Sequence, residues 1–151
     1  MTTPQELKDL FRHGLDLLSD GRIEEWVDGF TADGVLEFPY PAWGLPTRFQ
    51  GREALLAQMT VFREQLKVAF SEPKFYAATQ DGDGGLLVAS FTGDCTLIAT
   101  GGHYRQTYLS VVRYEQGRIA LFRDFWNPWA VMEAAGGELA WKQLLPTMAR
   151  S

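Results

Sequence analysis

The order of signals along the chain predicts an α+β fold, in which N-terminal helices pack on one face of a strongly curved antiparallel or mixed sheet. Two observations carry this expectation. Apolar residues recur at helical spacing through the first seventy residues, and from Lys74 onward the pattern switches to long strands punctuated by glycine turns. A bent sheet closed by helices leaves a cone-shaped cavity, a natural small-molecule site. With 151 residues, 46% of them apolar, the chain has the size and core content of one domain, taken here as residues 1–151.

Thr3-Pro4-Gln5-Glu6 reads as a capping box with proline at the first helical position, followed by a stripe of Leu7, Leu10, Phe11, Leu15 and Leu18. Asp20-Gly21 ends that helix, and a short second one carries Trp26, Val27 and Phe30. Residues 31–34 turn into an extended run over 35–38, and Pro39, Pro41, Gly44 and Pro46 make a stiff loop. The spacing of Leu55, Met59, Phe62, Leu66 and Phe70 predicts the longest helix, over 51–70. Strands are expected over 74–80, 86–100, 103–114 and 118–126, then a helical tail over 129–145 broken at Gly136-Gly137.

Composition excludes several classes of function. A net charge of -5 argues against nucleic acid or an anionic membrane as partner. The single cysteine, Cys95, reads as a small buried hydrophobe, and with only His13 and His103 beside it no zinc site is expected. The N-terminus lacks a basic and an apolar region, and no apolar run could span a bilayer, so a cytoplasmic protein is expected. Aromatic residues reach 13%, with five Trp, a high load for a chain of this length.

Period-two alternation and hairpin register decide what points into the cavity. A three-residue loop, Glu115-Gln116-Gly117, would pair Tyr114 with Arg118 and set Tyr108 opposite Asp124, Ser110 opposite Phe122 and Gln106 opposite Trp126. A two-residue loop would set Leu109 opposite Asp124. On the first register Tyr104, Gln106, Tyr108, Phe122, Asp124 and Trp126 share one face, a carboxyl among aromatic rings. Arg105, Leu109, Val111, Arg113, Leu121, Arg123 and Phe125 share the other, more solvent-facing one. Thr92, Asp94 and Thr96 form one face of the long strand, and Val35 and Glu37 one face of the first. Desolvation raises a carboxyl's pKa into the range where it both accepts and donates a proton, and a second carboxyl pushes the two values apart. Asp124, Glu37 and Asp94 are the candidates.

Residues 35–41, Val-Leu-Glu-Phe-Pro-Tyr-Pro, followed by Gly51-Arg52-Glu53-Ala54-Leu55, resemble the strand, proline-rich loop and Gly-Arg-Glu-Ala helix of SnoaL-like proteins. Residues 104–108, 117–119 and 123–128 resemble that family's last hairpin. The family lies within the nuclear-transport-factor-2-like (NTF2-like) superfamily of cone-shaped α+β folds. The resemblance extends to polyketide cyclases, whose acid/base residue matches Asp124. It extends also to phenazine-biosynthesis A/B proteins, which add a histidine from the long helix; none stands between Gly51 and Phe70 here. Limonene-epoxide hydrolases are more distant: Asp94 matches their second Asp, and Thr92 stands where they carry Arg. The resemblance implies pocket walls at Phe62, Leu66, Thr92, Thr96, Trp126 and Val131, and a homodimer formed through the outer sheet face.

The expectation is a cofactor-free acid/base enzyme of secondary metabolism acting on a hydrophobic, polyketide-like or aromatic small molecule by cyclisation, condensation or isomerisation. Asp124 moves the proton, Tyr108 and Tyr104 donate to a developing enolate oxygen, Gln106 orients the substrate, and Glu37 or Asp94 serves as second acid/base. The alternatives are a non-catalytic carrier using the same cavity, and epoxide-hydrolase-like hydration.

Overall fold

The computed structural model describes residues 2–148. Helix α1 (Pro4–Ser19) starts where Thr3 accepts a hydrogen bond from the Glu6 amide at 3.1 Å, the N-cap read from the sequence. Its buried face holds Leu7, Phe11, Leu15 and Leu17. Helix α2 (Ile23–Asp28) buries Ile23, Trp26 and Val27. Strands β1 (Phe30–Glu37) and β2 (Arg48–Gln50) lead into helix α3 (Arg52–Gln65), and β3 (Leu66–Phe70) follows it directly. Strands β4 (Lys74–Asp81), β5 (Gly84–Leu97), β6 (Gly102–Glu115) and β7 (Arg118–Trp126) complete the sheet. Helices α4 (Pro128–Ala134) and α5 (Glu138–Met148) close the chain, separated at Gly136 and Gly137, both at positive φ.

The seven strands form one mixed sheet in the order β2-β1-β7-β6-β5-β3, with β4 also on β5. β1 runs parallel to β7, and every other pairing is antiparallel. The 14-residue β5 is shared along its length: β4 pairs with Gly84–Ser90 and β3 with Gly93–Leu97. The helix expected over 51–70 therefore ends at Gln65. Leu66 and Phe70 fit a helical stripe, but residues 66–70 also alternate half-buried with exposed, and pairing with the second half of β5 satisfies backbone groups that a helix would leave unpaired on that edge. Strand β2 was unexpected: it lies between the proline-rich loop and α3, where no element was read, and pairs with Val35–Glu37.

The β6–β7 hairpin corrects the expected register while preserving its face. The loop has two residues, Gln116 and Gly117, both at positive φ as a type I′ turn requires, and it sets Glu115 opposite Arg118. Continued unbroken, that register would place Leu109 opposite Asp124 and turn the carboxyl outward. The register slips by one between Tyr114–Ile119 and Arg113–Leu121, so Ala120 is an extra residue, a β-bulge. Beyond it Ser110 lies opposite Asp124, Tyr108 opposite Trp126 and Val112 opposite Phe122.

Two apolar clusters flank the cavity. The larger joins α1 and α2 to the sheet through Phe11, Trp26, Phe91 and Phe122, whose rings meet edge-on or stacked at centroid distances of 5.6–6.1 Å. The smaller packs Leu97, Val131, Met132, Trp141 and Met148 beneath α4 and α5. Fully buried Trp141 donates its indole N–H to the Trp43 carbonyl at 2.7 Å, anchoring α5 to the loop before β2. At the other end of the sheet, Gly84 lets β5 lie tightly on β6, because an added Cβ would fall on the Tyr114 carbonyl oxygen. Gly84→Ala is expected to destabilise by about 3 kcal/mol, since backbone rather than a flexible side chain must yield. A denaturant midpoint matching the wild type would contradict that packing.

Candidate active site

Alternation on three adjacent strands builds the cavity wall. On β5 the inward residues are Phe91, Gly93 and Cys95, which pair with Tyr108, Gln106 and Tyr104 of β6. On β7 they are Phe122, Asp124 and Trp126. Helix α3 closes the opposite side with Gln58 and Phe62, Phe38 follows β1, and Val131, Trp141 and Met148 come from the C-terminal helices. The space divides into two lobes of about 90 and 70 Å³. Phe38, Gln58, Phe62, Tyr108 and Asp124 border both lobes and form the waist between them. Among the described residues no Lys or Arg lines either lobe. A roomier cleft of about 270 Å³ lies between α1 and α2, but its carboxyls, Glu25 and Asp28, are exposed and paired with Arg22 and Arg52.

Among the described residues Asp124 is the only carboxyl bordering the lobes. Its Oδ1 accepts a hydrogen bond from Ser110 Oγ at 3.1 Å, supplied by the residue that the bulge places opposite it. Burial pushes the carboxyl up to about 7, and the Ser110 bond opposes the shift only in part. What surface Asp124 keeps is presented to the cavity, so at neutral pH it exists as acid and as anion in comparable amounts. Tyr108 stacks on Phe91 at 4.9 Å between centroids and meets Phe70 edge-on. Burial drives the phenols of Tyr108 and Tyr104 upward, so both remain proton donors. Cys95 Sγ lies 3.9 Å from Tyr108 Oη, and burial raises this thiol too, so it stays protonated and is a poor nucleophile.

Several expected site residues lie elsewhere. Glu37 pairs in register with Arg123 on the outer face, where Arg123 Nε and Arg48 Nη1 hold its carboxylate at 3.0 and 3.1 Å. Asp94, Thr92 and Thr96 alternate with the inward set of β5 and therefore face out. Asp94 is exposed beside Arg105, Thr92 accepts from Arg105, and Thr96 bonds His103 Nδ1 at 3.0 Å. The expected second carboxylate is thus absent from the cavity, as are two of its expected walls. Gln106 lines the cavity, but its amide is engaged: Nε2 donates to the Asn127 carbonyl and Oε1 accepts from the Asn127 amide, each at 2.8 Å. It fixes the β7–α4 junction instead of facing a substrate freely. Tyr104, Tyr108, Phe62, Leu66, Phe122, Trp126 and Val131 do line the lobes. Among the described residues no three His, Cys, Asp or Glu side chains gather as a metal site.

The SnoaL-like domain model matches residues 11–122, about three quarters of the chain. The protein belongs to the SnoaL-like family. Its fold is that of NTF2-like proteins. It is 45% identical over 130 residues to an uncharacterised PhzA/B-like protein of Pseudomonas aeruginosa, covering 86% of this chain and 90% of that one. A Bacillus subtilis structure provisionally named an isomerase superposes with a TM-score of 0.78 at 32% identity, covering 86% and 92% of the two chains. A phenazine biosynthesis-related protein of P. aeruginosa shares the fold at a TM-score of 0.63 and 17% identity, over 85% and 82%.

Two site residues of this SnoaL-like protein escaped the sequence reading. Ser110 was set opposite Phe122 by the expected register, and only the bulge brings it to Asp124. Gln58 stands on the buried side of α3 between Leu55 and Phe62. A polar residue on an apolar helical stripe was the signal available for it.

Proposed function

We propose that this protein catalyses proton transfer at a carbon next to a carbonyl in a compact hydrophobic molecule, leading to isomerisation or aldol-type cyclisation. The observation that carries the reading is one carboxyl, Asp124, poised near neutrality in an apolar cavity, with phenol donors beside it and no competing cation among the described residues of its walls. As the anion, Asp124 takes the C–H proton, and the bonding pair moves onto the carbonyl oxygen to give an enolate. Tyr108 and Tyr104, as neutral phenols, donate to that oxygen. In an isomerisation Asp124 returns the proton to a different atom. In a cyclisation the enolate carbon attacks a second carbonyl carbon, and Asp124 protonates the resulting alkoxide. Either course balances with one carboxyl and no redox partner. Hydration of an epoxide draws no support here, because Asp94 faces away from the cavity.

The test is deuterium incorporation into the methyl group of acetophenone in D2O, followed by proton NMR. Exchange is expected to exceed that given by an equal concentration of acetate, with a rate that rises with pH through about 7. Exchange no faster than acetate overturns the reading.

A homodimer through the outer sheet face belongs to the same proposal. That face exposes Tyr76 and Leu109, and it carries both Arg105 and Asp94, so a copy related by a two-fold axis meets opposite charges. Light scattering at micromolar concentration is expected to give twice the chain mass, and Leu109→Glu to halve it. A monomeric wild type contradicts the interface.

A further inference from the structure

Gln58 is nine-tenths buried, and its side-chain Oε1 has no hydrogen-bond partner. Leaving a buried amide unpaired is costly, and such groups are uncommon in native proteins. A leucine or methionine would fill the same place on α3 without that cost. The orphaned amide sits at the waist, bordering both lobes together with Asp124. The other cavity amide, Gln106, has its oxygen and nitrogen engaged by Asn127, so Gln58 is the one left for a ligand.

We propose that Gln58 is a substrate-binding residue, and that with Asp124 it selects a molecule bearing a hydroxyl beside its carbonyl, with apolar groups on either side extending into the two lobes. The inference deepens the acid/base reading and rests on it for the role of Asp124. The chemistry follows from what each group lacks. Oε1 of Gln58 can only accept, so the ligand must bring an O–H or N–H donor. Asp124 in its acid form has one O–H to give, so the ligand must also bring an acceptor. A hydroxy-ketone, or the enol of a dicarbonyl, supplies both within a few bonds. Lobes of about 90 and 70 Å³ limit the size, being together close to the ~150 Å³ that accepts one benzene ring. That volume suits a single-ring molecule.

The experiment compares two probes that differ by the hydroxyl alone, 2-hydroxyacetophenone and acetophenone. Their dissociation constants are measured by NMR titration at pH 6, where most Asp124 carries its proton. Wild type is expected to bind the hydroxy-ketone at least about tenfold more tightly, because a site with an unmet polar group discriminates strongly for the group that meets it. Gln58→Leu is expected to bring that ratio near one and to raise Tm, since the orphaned amide is gone. A residue that only shaped the fold would not move the ratio while raising Tm. Gln58→Met, unbranched and of similar length, gives the same readout should the leucine variant fold poorly. A ratio near one in wild type, or one unchanged in both variants, overturns the proposal. The ratio is read without turnover, so it stands or falls separately from the acetophenone exchange that tests Asp124 as acid/base.

Discussion

Asp124→Asn is expected to lose about 10³-fold in catalysed exchange while keeping the fold. Asparagine has nearly the same shape, and its Oδ1 can still accept from Ser110 Oγ, now 3.1 Å from the carboxyl. What disappears is the ability to take and return a proton. Below neutrality most of the wild-type carboxyl is protonated and unable to act as base, so log(kcat/KM) should climb with unit slope and level off above about 7. The residual rate of the variant should show no inflection there. A variant with full activity would remove Asp124 from the chemistry. A wild-type inflection near 4 would mean that the cavity does not desolvate this carboxyl.

The same carboxyl should make the protein less stable as pH rises. Unfolded, Asp124 ionises near 3.8; folded, near 7. Between those values the native state holds a proton that the unfolded state has released, so stability declines as pH climbs from about 4 to about 7. The full loss is about 4 kcal/mol, and it persists at higher pH. Other groups also titrate, so the informative quantity is the difference between Asp124→Asn and wild type in urea unfolding. That difference should favour the variant strongly at pH 8 and shrink by about 4 kcal/mol at pH 4. A difference constant across this range would show that the folded and unfolded carboxyls titrate alike. This cost in the resting protein is what a functional site built on desolvation requires, and the orphaned amide of Gln58 is a second instance of it in the same cavity.

Local chemistry along the chain was enough to read the layout. The Thr3 cap, the stripe of α1, the glycine turns and the hairpin before Trp126 are each decided by residues close in sequence, and the structure realises them. The inward face of β6 and β7 came out correctly by way of a wrong register. A two-residue loop and one bulged residue together shift the pairing by two, and a shift of two restores the same face. On β5 the sequence held a clearer signal than the resemblance did. Phe91, Cys95 and Leu97 form the apolar set and point in, whereas Thr92, Asp94 and Thr96 form the polar set and point out.

By itself, then, the sequence determined the α+β order and the family, and it named Asp124 as a candidate carboxyl among aromatic rings. Only the tertiary structure decided that Leu66–Phe70 is a strand, that Glu37 is held by Arg48 and Arg123 outside the cavity, and that Gln58 stands unpartnered across from Asp124. The reason is physical. Helix caps and turns are set by neighbours a few residues away. Strand pairing, desolvation and an unmet hydrogen bond depend on groups brought together from distant parts of the chain, as Ser110 and Asp124 are by the single extra residue at Ala120.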